Sequence, residues 1–312
     1  MLKLKDSKAA PSKDKKPAAP PLPLGKRVWE FFKSIFVALA AVIVLNSFVV
    51  QSFQVPTGSM ENTVMAGELL FVNKFLYGGS SPQAVPLLGL LAGKEVEIPW
   101  FRVPGFRDPE RGDVIVFIFP GYRDDAKARE FQYYLKRCVA VSHDTIQVVD
   151  KRLLINGKPF DNPIGVHYTQ GVLPKEFVDG DIFPVGKPWN RDNYGPIVVP
   201  GEGDVIQLTP ENIGEWNTFI RREGHEVSVS GGMITIDGKP ATSYTVERDY
   251  VFGMGDNRDD SLDSRFWGFI PKEHVIGTPM IVYMSWSPDI PLFNLFKKLG
   301  SIRFGRIGKI IG

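Results

Sequence analysis

The chain has 312 residues, 43% hydrophobic and 23% charged, with a formal net charge of +2. That length allows one large or two ordinary domains around a buried core, and the charged fraction excludes wholesale disorder and a polytopic membrane protein. A single cysteine, Cys138, excludes an intramolecular disulfide and a multi-cysteine metal cluster, and four scattered histidines speak against a His-built metal centre.

The charge is uneven. Residues 1–27 carry eight Lys/Arg against two acids, a net of +6, which leaves −4 over the other 285 residues and argues against nucleic acid as a partner. Residues 1–27, with Pro11, Pro17, Pro20, Pro21 and Pro23, read as a basic disordered arm, because too little apolar surface is available to offset ordering entropy. Residues 28–50 read as a transmembrane anchor. From Phe31 to Val50 the only charge is Lys33, and twenty helical residues rise about 30 Å, the thickness of the hydrocarbon core. The long leader and the absence of an Ala-x-Ala-like site in Val49–Gln54 weigh against a cleaved signal. Basic flanks stay in the cytoplasm, so the arm is expected there and the rest of the chain across the bilayer.

The body after residue 50 reads as mostly β. Val114–Phe119 is an apolar run suited to a buried strand. Ile146–Val149 and Leu153–Ile155 are short strands closed by Asn156-Gly157; Val227–Val229 and Met233–Ile236 repeat the pattern and close on Asp237-Gly238. The similar endings Leu154–Pro159 and Thr235–Pro240 fit either a small duplication or two hairpins sharing a favoured turn. Pro210–Arg222 is the helical stretch of the body. Phe293–Gly312, with Lys297, Lys298, Arg303, Arg306, Lys309 and no acid, is a basic amphipathic tail for a membrane surface or a packed terminal segment.

Three segments stand out. Pro56 and Gly58 bend the backbone around Ser59, either as an ordinary juxtamembrane turn or as a way to present the serine. In Tyr133–Val139, strand alternation puts Tyr134, Lys136 and Cys138 on one face and Leu135, Arg137 and Val139 on the other. A lysine on a dry face loses basicity and can take a proton from a hydroxyl; on an edge strand it merely guards against aggregation. The run Gly255–Gly268, dense in Gly, Asp, Asn, Ser and Arg, is an ordered loop held by Arg–carboxylate pairs or, less well matched because Ser261 stands where glycine is required, a calcium loop. A zinc-protease helix is excluded at His225 because position 229 is Val, no phosphate loop or G-x-S-x-G elbow occurs, and no S-x-x-K pair of the penicillin-binding type appears outside the basic arm.

Taken in order, Pro56–Met60, Arg111–Phe117, Tyr134–Arg137 and Gly255–Gly268 behind an N-terminal anchor resemble the bacterial type I signal peptidases. The resemblance implies a β catalytic core from 51–150 and 251–285, interrupted by an inserted β-rich cap at 151–250 and followed by the tail at 286–312. It implies a metal-free, cofactor-free Ser/Lys protease with Ser59 as nucleophile and Lys136 as general base. The Thr57 hydroxyl and Ser59 amide would form the oxyanion hole, Ser261 would orient the lysine amine, Asp263 and Arg265 would support the site as an ion pair, and Met60 would line the substrate region. The implied partners are signal-peptide-bearing preproteins, cut after a small-x-small motif, and the lipid bilayer. The implied place is a bacterial inner membrane, with the catalytic body on the periplasmic side. Two departures stand out: Asn62 replaces the usual proline, and Ala140–Asp144 replaces Gly-x-Pro-Gly-Asp. An inactive scaffold on the same fold, a self-cleaving repressor-type protease and a calcium-dependent adhesin are the rival readings.

Overall fold

The computed structural model describes residues 23–80 and 101–311. Its apolar run forms one 25-residue helix, α1 (Leu24–Phe48), the one helix among the described residues long and apolar enough to cross a membrane. The expected boundaries shift at both ends. Residues 24–27, read as part of the disordered arm, are helical; the helix opens immediately after Pro23, whose carbonyl accepts from the Arg27 N–H. Val50, expected at the end of the span, opens a strand instead. Residues 1–22 of the arm lie outside the described residues. The chain divides into two units, 1–43 and 44–312, and everything below concerns the second.

A seven-stranded antiparallel sheet is its frame. The strands are β1 (Val50–Gln54), β2 (Glu68–Asn73), β3 (Val114–Ile118), β4 (Tyr133–Val141), β14 (Tyr250–Met254), β15 (Ile270–Pro271) and β16 (Val275–Ser285), in the order β1-β2-β16-β3-β4-β14-β15. The unbroken apolar run of β3 has a direct cause: both of its faces are covered. Val114 and Val116 pack with Val55, Met60, Leu70 and Val282 on one side, while Ile115 and Phe117 pack with Cys138, Val251 and Trp267 on the other. A strand buried on both faces has no polar side to alternate with.

The 142–249 stretch builds smaller sheets. One holds β5 (Thr145–Val149), β6 (Arg152–Ile155), β7 (Lys158–Pro159) and β8 (Tyr194–Val198); another holds β10 (Val227–Ser230), β11 (Met233–Ile236) and β12 (Lys239–Pro240); β9 (Val205–Gln207) pairs with β13 (Ser243–Thr245). β5 therefore pairs outside the seven-stranded sheet, and the change of sheet falls between β4 and β5. Ile146, Leu153, Ile182, Tyr194, Phe219 and Tyr244 from this layer pack on Ala140, Phe252, Met254 and Phe269 of the frame. Asn156-Gly157 and Asp237-Gly238 both take left-handed φ at both residues (53° and 75°, 50° and 75°), the backbone of a tight two-residue hairpin.

The body helix α2 (Ile213–Arg222) starts three residues later than its sequence indicated, because Thr209–Asn212 form a hydrogen-bonded turn ahead of it. Its Arg222 donates to the carbonyls of Gly121, Tyr122, Asp125 and Trp267, which ties this layer to the frame. Both sequence departures have a backbone cause. Asn62 sits at φ 70°, which proline cannot adopt, and His143 at φ 72° fills the left-handed position that glycine would occupy in the usual motif. The tail, with α4 (Leu295–Gly300), is packed. Arg306 pairs with buried Glu68 at 2.6 Å, Lys298 is buried against the carbonyls of Ser287 and Ile290, and Ile310 bridges to Ile281 of β16.

Candidate active site

Ser59 sits five residues beyond the end of β1, in a turn closed by Glu61 N–H donating to the Gly58 carbonyl. The Ser59 carbonyl accepts from Asn257 N–H at 3.1 Å, which pins the turn to the 255–268 loop. Lys136 projects from the middle of β4, opposite Ile115 of β3. Its Nζ lies 2.5 Å from Ser59 Oγ, across 77 residues of sequence. No side chain at position 253 would leave this lysine undisturbed: a methyl group on Gly253 would sit 3.1 Å from Lys136 Cβ.

The surroundings of the amine are dry. Lys136 is 3% exposed, and the rings of Tyr134 and Trp267 each lie with their centres 5.9 Å from Nζ. Among the described residues no carboxylate pairs with it. Burial therefore lowers its pKa from 10.5 to about 8; the more distant Asp263 carboxylate opposes the shift and Arg265 adds to it.

The neighbouring residue on the same strand shows the opposite solution. Arg137, fully buried on the other face of β4, holds Asp256 through two bonds of 2.8 and 2.7 Å, and Thr63 Oγ1 donates to the same carboxylate at 2.5 Å. Strand alternation places Arg137 on an apolar face, and a buried guanidinium on such a face demands a carboxylate, a signal present in the sequence although the identity of the partner, Asp256, is not.

The 255–268 loop is an ion-paired element. Asp256 meets Arg137, Asp259 meets Lys151 of the 151–250 stretch, and Asp263 meets Arg265 at 2.8 Å. As for the two readings left open for its acids, Asp256, Asp259 and Asp263 have Arg or Lys partners, while Asp260 is exposed. Asp263 caps the short helix α3 (Ser264–Trp267), accepts from Gly255 N–H, and takes both Nε and Nη2 of Arg265. Burial alone would raise the Asp263 pKa, and the Arg265 guanidinium overrides it and holds the carboxyl below its usual range. Arg265 in turn ties the loop to the Arg258 and Arg191 carbonyls.

The remaining expected residues fall around this centre. Thr57 is exposed, its Oγ1 3.5 Å from Ser59 Oγ. Met60 is buried beneath Ser59, and its sulfur accepts from the Asp256 N–H. Ser261 is the exception: its buried Oγ makes no hydrogen bond, so the bond to the Lys136 amine is not formed. The hydroxyl is nevertheless close by, since a methyl group on Gly255 would overlap both Ser261 Oγ and the Ser59 carbonyl oxygen.

Ser59 and Lys136 open onto a cleft of about 450 Å³, walled by Phe53–Pro56 on one side and Gln132–Leu135 on the other, with Leu70, Val116 and Leu262 completing an apolar lining. Two strand edges face it. Among the described residues β1 pairs with β2 alone, and the start of β4 with β3 alone, because β14 joins β4 from Arg137 onward.

Comparison with known proteins agrees with this architecture. Residues 28–286 match the family model described as signal peptidase, peptidase S26. The chain is 31% identical over 286 residues to signal peptidase I of Pseudomonas aeruginosa, covering 88% of this chain and 78% of that one. It is 29% identical over 296 residues to signal peptidase I of Helicobacter pylori strain 26695, covering 92% and 94%, and 30% identical over 275 residues to that of Haemophilus influenzae, covering 82% and 69%. With a mostly β body behind one apolar helix and a family match over most of its length, the chain belongs to the S26 signal peptidase family of serine peptidases.

Proposed function

We propose that this protein is a membrane-anchored endopeptidase that removes signal peptides from exported preproteins, with Ser59 as nucleophile and Lys136 as general base. The observation that carries the reading is the 2.5 Å approach of an unpaired, desolvated lysine amine to a serine hydroxyl at the wall of a peptide-sized cleft. In the proposed reaction Ser59 Oγ attacks the scissile carbonyl carbon while its proton passes to neutral Lys136 Nζ. The tetrahedral oxyanion accepts from the Ser59 N–H, which donates to no other acceptor among the described residues, and from the Thr57 hydroxyl. The C–N bond then breaks, the ammonium of Lys136 returns its proton to the leaving amine, and a water activated by the same lysine hydrolyses the acyl-serine.

The two free strand edges support substrate bound as an added strand, with main-chain bonds giving affinity and alternate side chains entering the cleft. Phe53, Met60, Leu70 and Leu135 line the cleft together with Ser59, and small side chains at alternate positions of the added strand, as in a small-x-small junction such as Ala-x-Ala, are proposed to seat against them. Ser261 is proposed to turn its unpartnered hydroxyl to the lysine amine once substrate is bound, and the Asp263–Arg265 pair to hold the loop that carries it. Helix α1 is the proposed anchor, with the basic arm in the cytoplasm and the body at the outer face of a bacterial inner membrane; residues 51–150 and 251–285 are proposed as the catalytic core, with 151–250 as its cap. Preproteins and the bilayer are the proposed partners.

The test is cleavage, in detergent, of a preprotein with an Ala-x-Ala junction. Wild type should cut at that junction, and Ser59→Ala should lose at least about 10³-fold in kcat/KM, the scale typical of a lost nucleophile. Cleavage persisting in Ser59→Ala would remove that residue from the mechanism; binding without cleavage by wild type would favour a scaffold.

A further inference from the structure

A second cavity, of about 320 Å³, adjoins the cleft and shares Gly58 with it. One wall is Glu61, Met65 and Ala66 from the turn just after Ser59; the other is Ser287–Asp289 with Ser301 and Arg303. That second wall lies wholly beyond residue 286, where the family match ends. The tail is held in place there. Arg303 Nη2 donates to the carbonyls of Ala66 at 2.6 Å and Trp286 at 2.8 Å, so its charge is directed into the wall.

Glu61 is exposed, and among the described residues its carboxylate has no hydrogen-bond or ion-pair partner. A side chain starting from Gly58 would begin 3.9 Å from Glu61 Oε2, which puts this carboxylate next to the residue preceding Ser59. Asp289, also exposed, has only a 3.5 Å contact from Ser287 Oγ. The cavity lining thus carries two carboxylates against the one Arg303 guanidinium, and neither carboxylate is ion-paired among the described residues.

We propose that this cavity receives the first residues of the mature protein, on the leaving-group side of the cleaved bond, and that Glu61, assisted by Asp289, makes it prefer basic over acidic side chains there. The proposal rests on the reading of Ser59 as nucleophile. A chain that fills the apolar cleft up to Ser59 and continues advances about 3.3–3.6 Å per residue, so its first two residues beyond the bond pass the shared Gly58 and enter this space. Its volume suits one or two side chains. A free carboxylate at a solvent-facing rim discriminates by charge rather than by shape, and salt weakens the effect.

The experiment compares three preproteins that share one Ala-x-Ala junction and carry Lys, Ala or Glu at the first or second position past the cleaved bond. For wild type at low salt, kcat/KM for Lys should exceed that for Glu by about five-fold at one of these positions at least, with Ala between, the scale expected of one exposed charge pair. Glu61→Lys should reverse the order, Asp289→Asn should narrow it, and 0.5 M salt should flatten it. Equal rates for the three substrates in wild type, or an order unchanged in Glu61→Lys, overturns the subsite while Ser59-dependent cleavage stands. Cleavage of all three that survives Ser59→Ala overturns the nucleophile assignment and this inference with it. Because the readout is a ratio between substrates for one enzyme, a variant with a reduced active fraction still reports it.

Discussion

Lys136 and Arg137 are consecutive residues of one strand, both cationic by type and both buried, yet their two faces of β4 treat charge in opposite ways. Arg137 is bonded in parallel to Asp256 and to the Gly112 carbonyl, so its charge is compensated where it lies. Lys136 faces aromatic rings, a backbone glycine and a serine hydroxyl, with no carboxylate bonded to it. Burial is the same for both; what differs is the partner. A guanidinium that stays charged at any working pH has to be paired, whereas an amine can shed its proton, and in doing so becomes a base.

The strongest way to break the comparison is to remove the unpaired amine. Lys136→Met should lower kcat/KM by at least about 10³-fold, as expected for loss of a general base acting on a nucleophile. The same variant should be more stable than wild type at pH 7. The folded-state pKa near 8 lies below the unfolded 10.5, so below pH 8 both states are protonated and the fold bears the full desolvation cost. Between 8 and 10.5 the folded form has lost its proton and the penalty fades; above 10.5 it is gone. The gain is about 3 kcal/mol at pH 7 and vanishes near pH 10.5. Urea titrations of both proteins in detergent at the two pH values measure it, and a Lys136→Met protein destabilised at pH 7 would contradict the description of this face. On wild type, the same pKa makes kcat/KM climb about tenfold per pH unit on the acid side and level off above about pH 8.

On the paired face the sign reverses. Arg137→Met or Asp256→Asn alone should cost about 3–5 kcal/mol, because each leaves a buried group without its partner. The double variant should lose much less than the two together. Denaturation midpoints of the three proteins give the coupling, and strict additivity would show that the pair is not a unit.

The smallest effect concerns Ser261. Since its Oγ makes no hydrogen bond, Ser261→Ala should leave stability within about 0.5 kcal/mol of wild type. Its proposed role toward the lysine amine should still appear as a loss of about tenfold in kcat, with KM little changed. A stability loss well beyond that margin would mean that the hydroxyl has a structural partner instead.

The contrast between the faces was half legible in the sequence. Alternation along Tyr133–Val139 placed Lys136 and Arg137 on opposite sides, and the density of acids and arginines in 255–268 marked an ion-paired loop. The apolar helix, the buried strand at Val114, the two Asn-Gly and Asp-Gly hairpins and the helix ending at Arg222 are local patterns of hydrophobic period and turn chemistry, so they can be read residue by residue. Helix ends were less legible because Pro23 and the Thr209–Asn212 turn act through a few specific backbone bonds.

By itself the sequence determined the apolar helix, the buried strand at Val114, the strand at Tyr133–Val139 with its alternating faces, the two hairpins, the helix ending at Arg222 and, through motif order, the family; the frame strands β1, β2, β14 and β16 carry no comparable local signature. Only the tertiary structure decided which groups meet. Ser59 and Lys136 are 77 residues apart, Arg137 and Asp256 are 119 apart, and Glu61 lines one cavity with a tail more than two hundred residues downstream. Strand alternation says which way a side chain points, not which strand lies opposite it. That choice is made by sheet order and by burial of both faces, and these are properties of the whole fold.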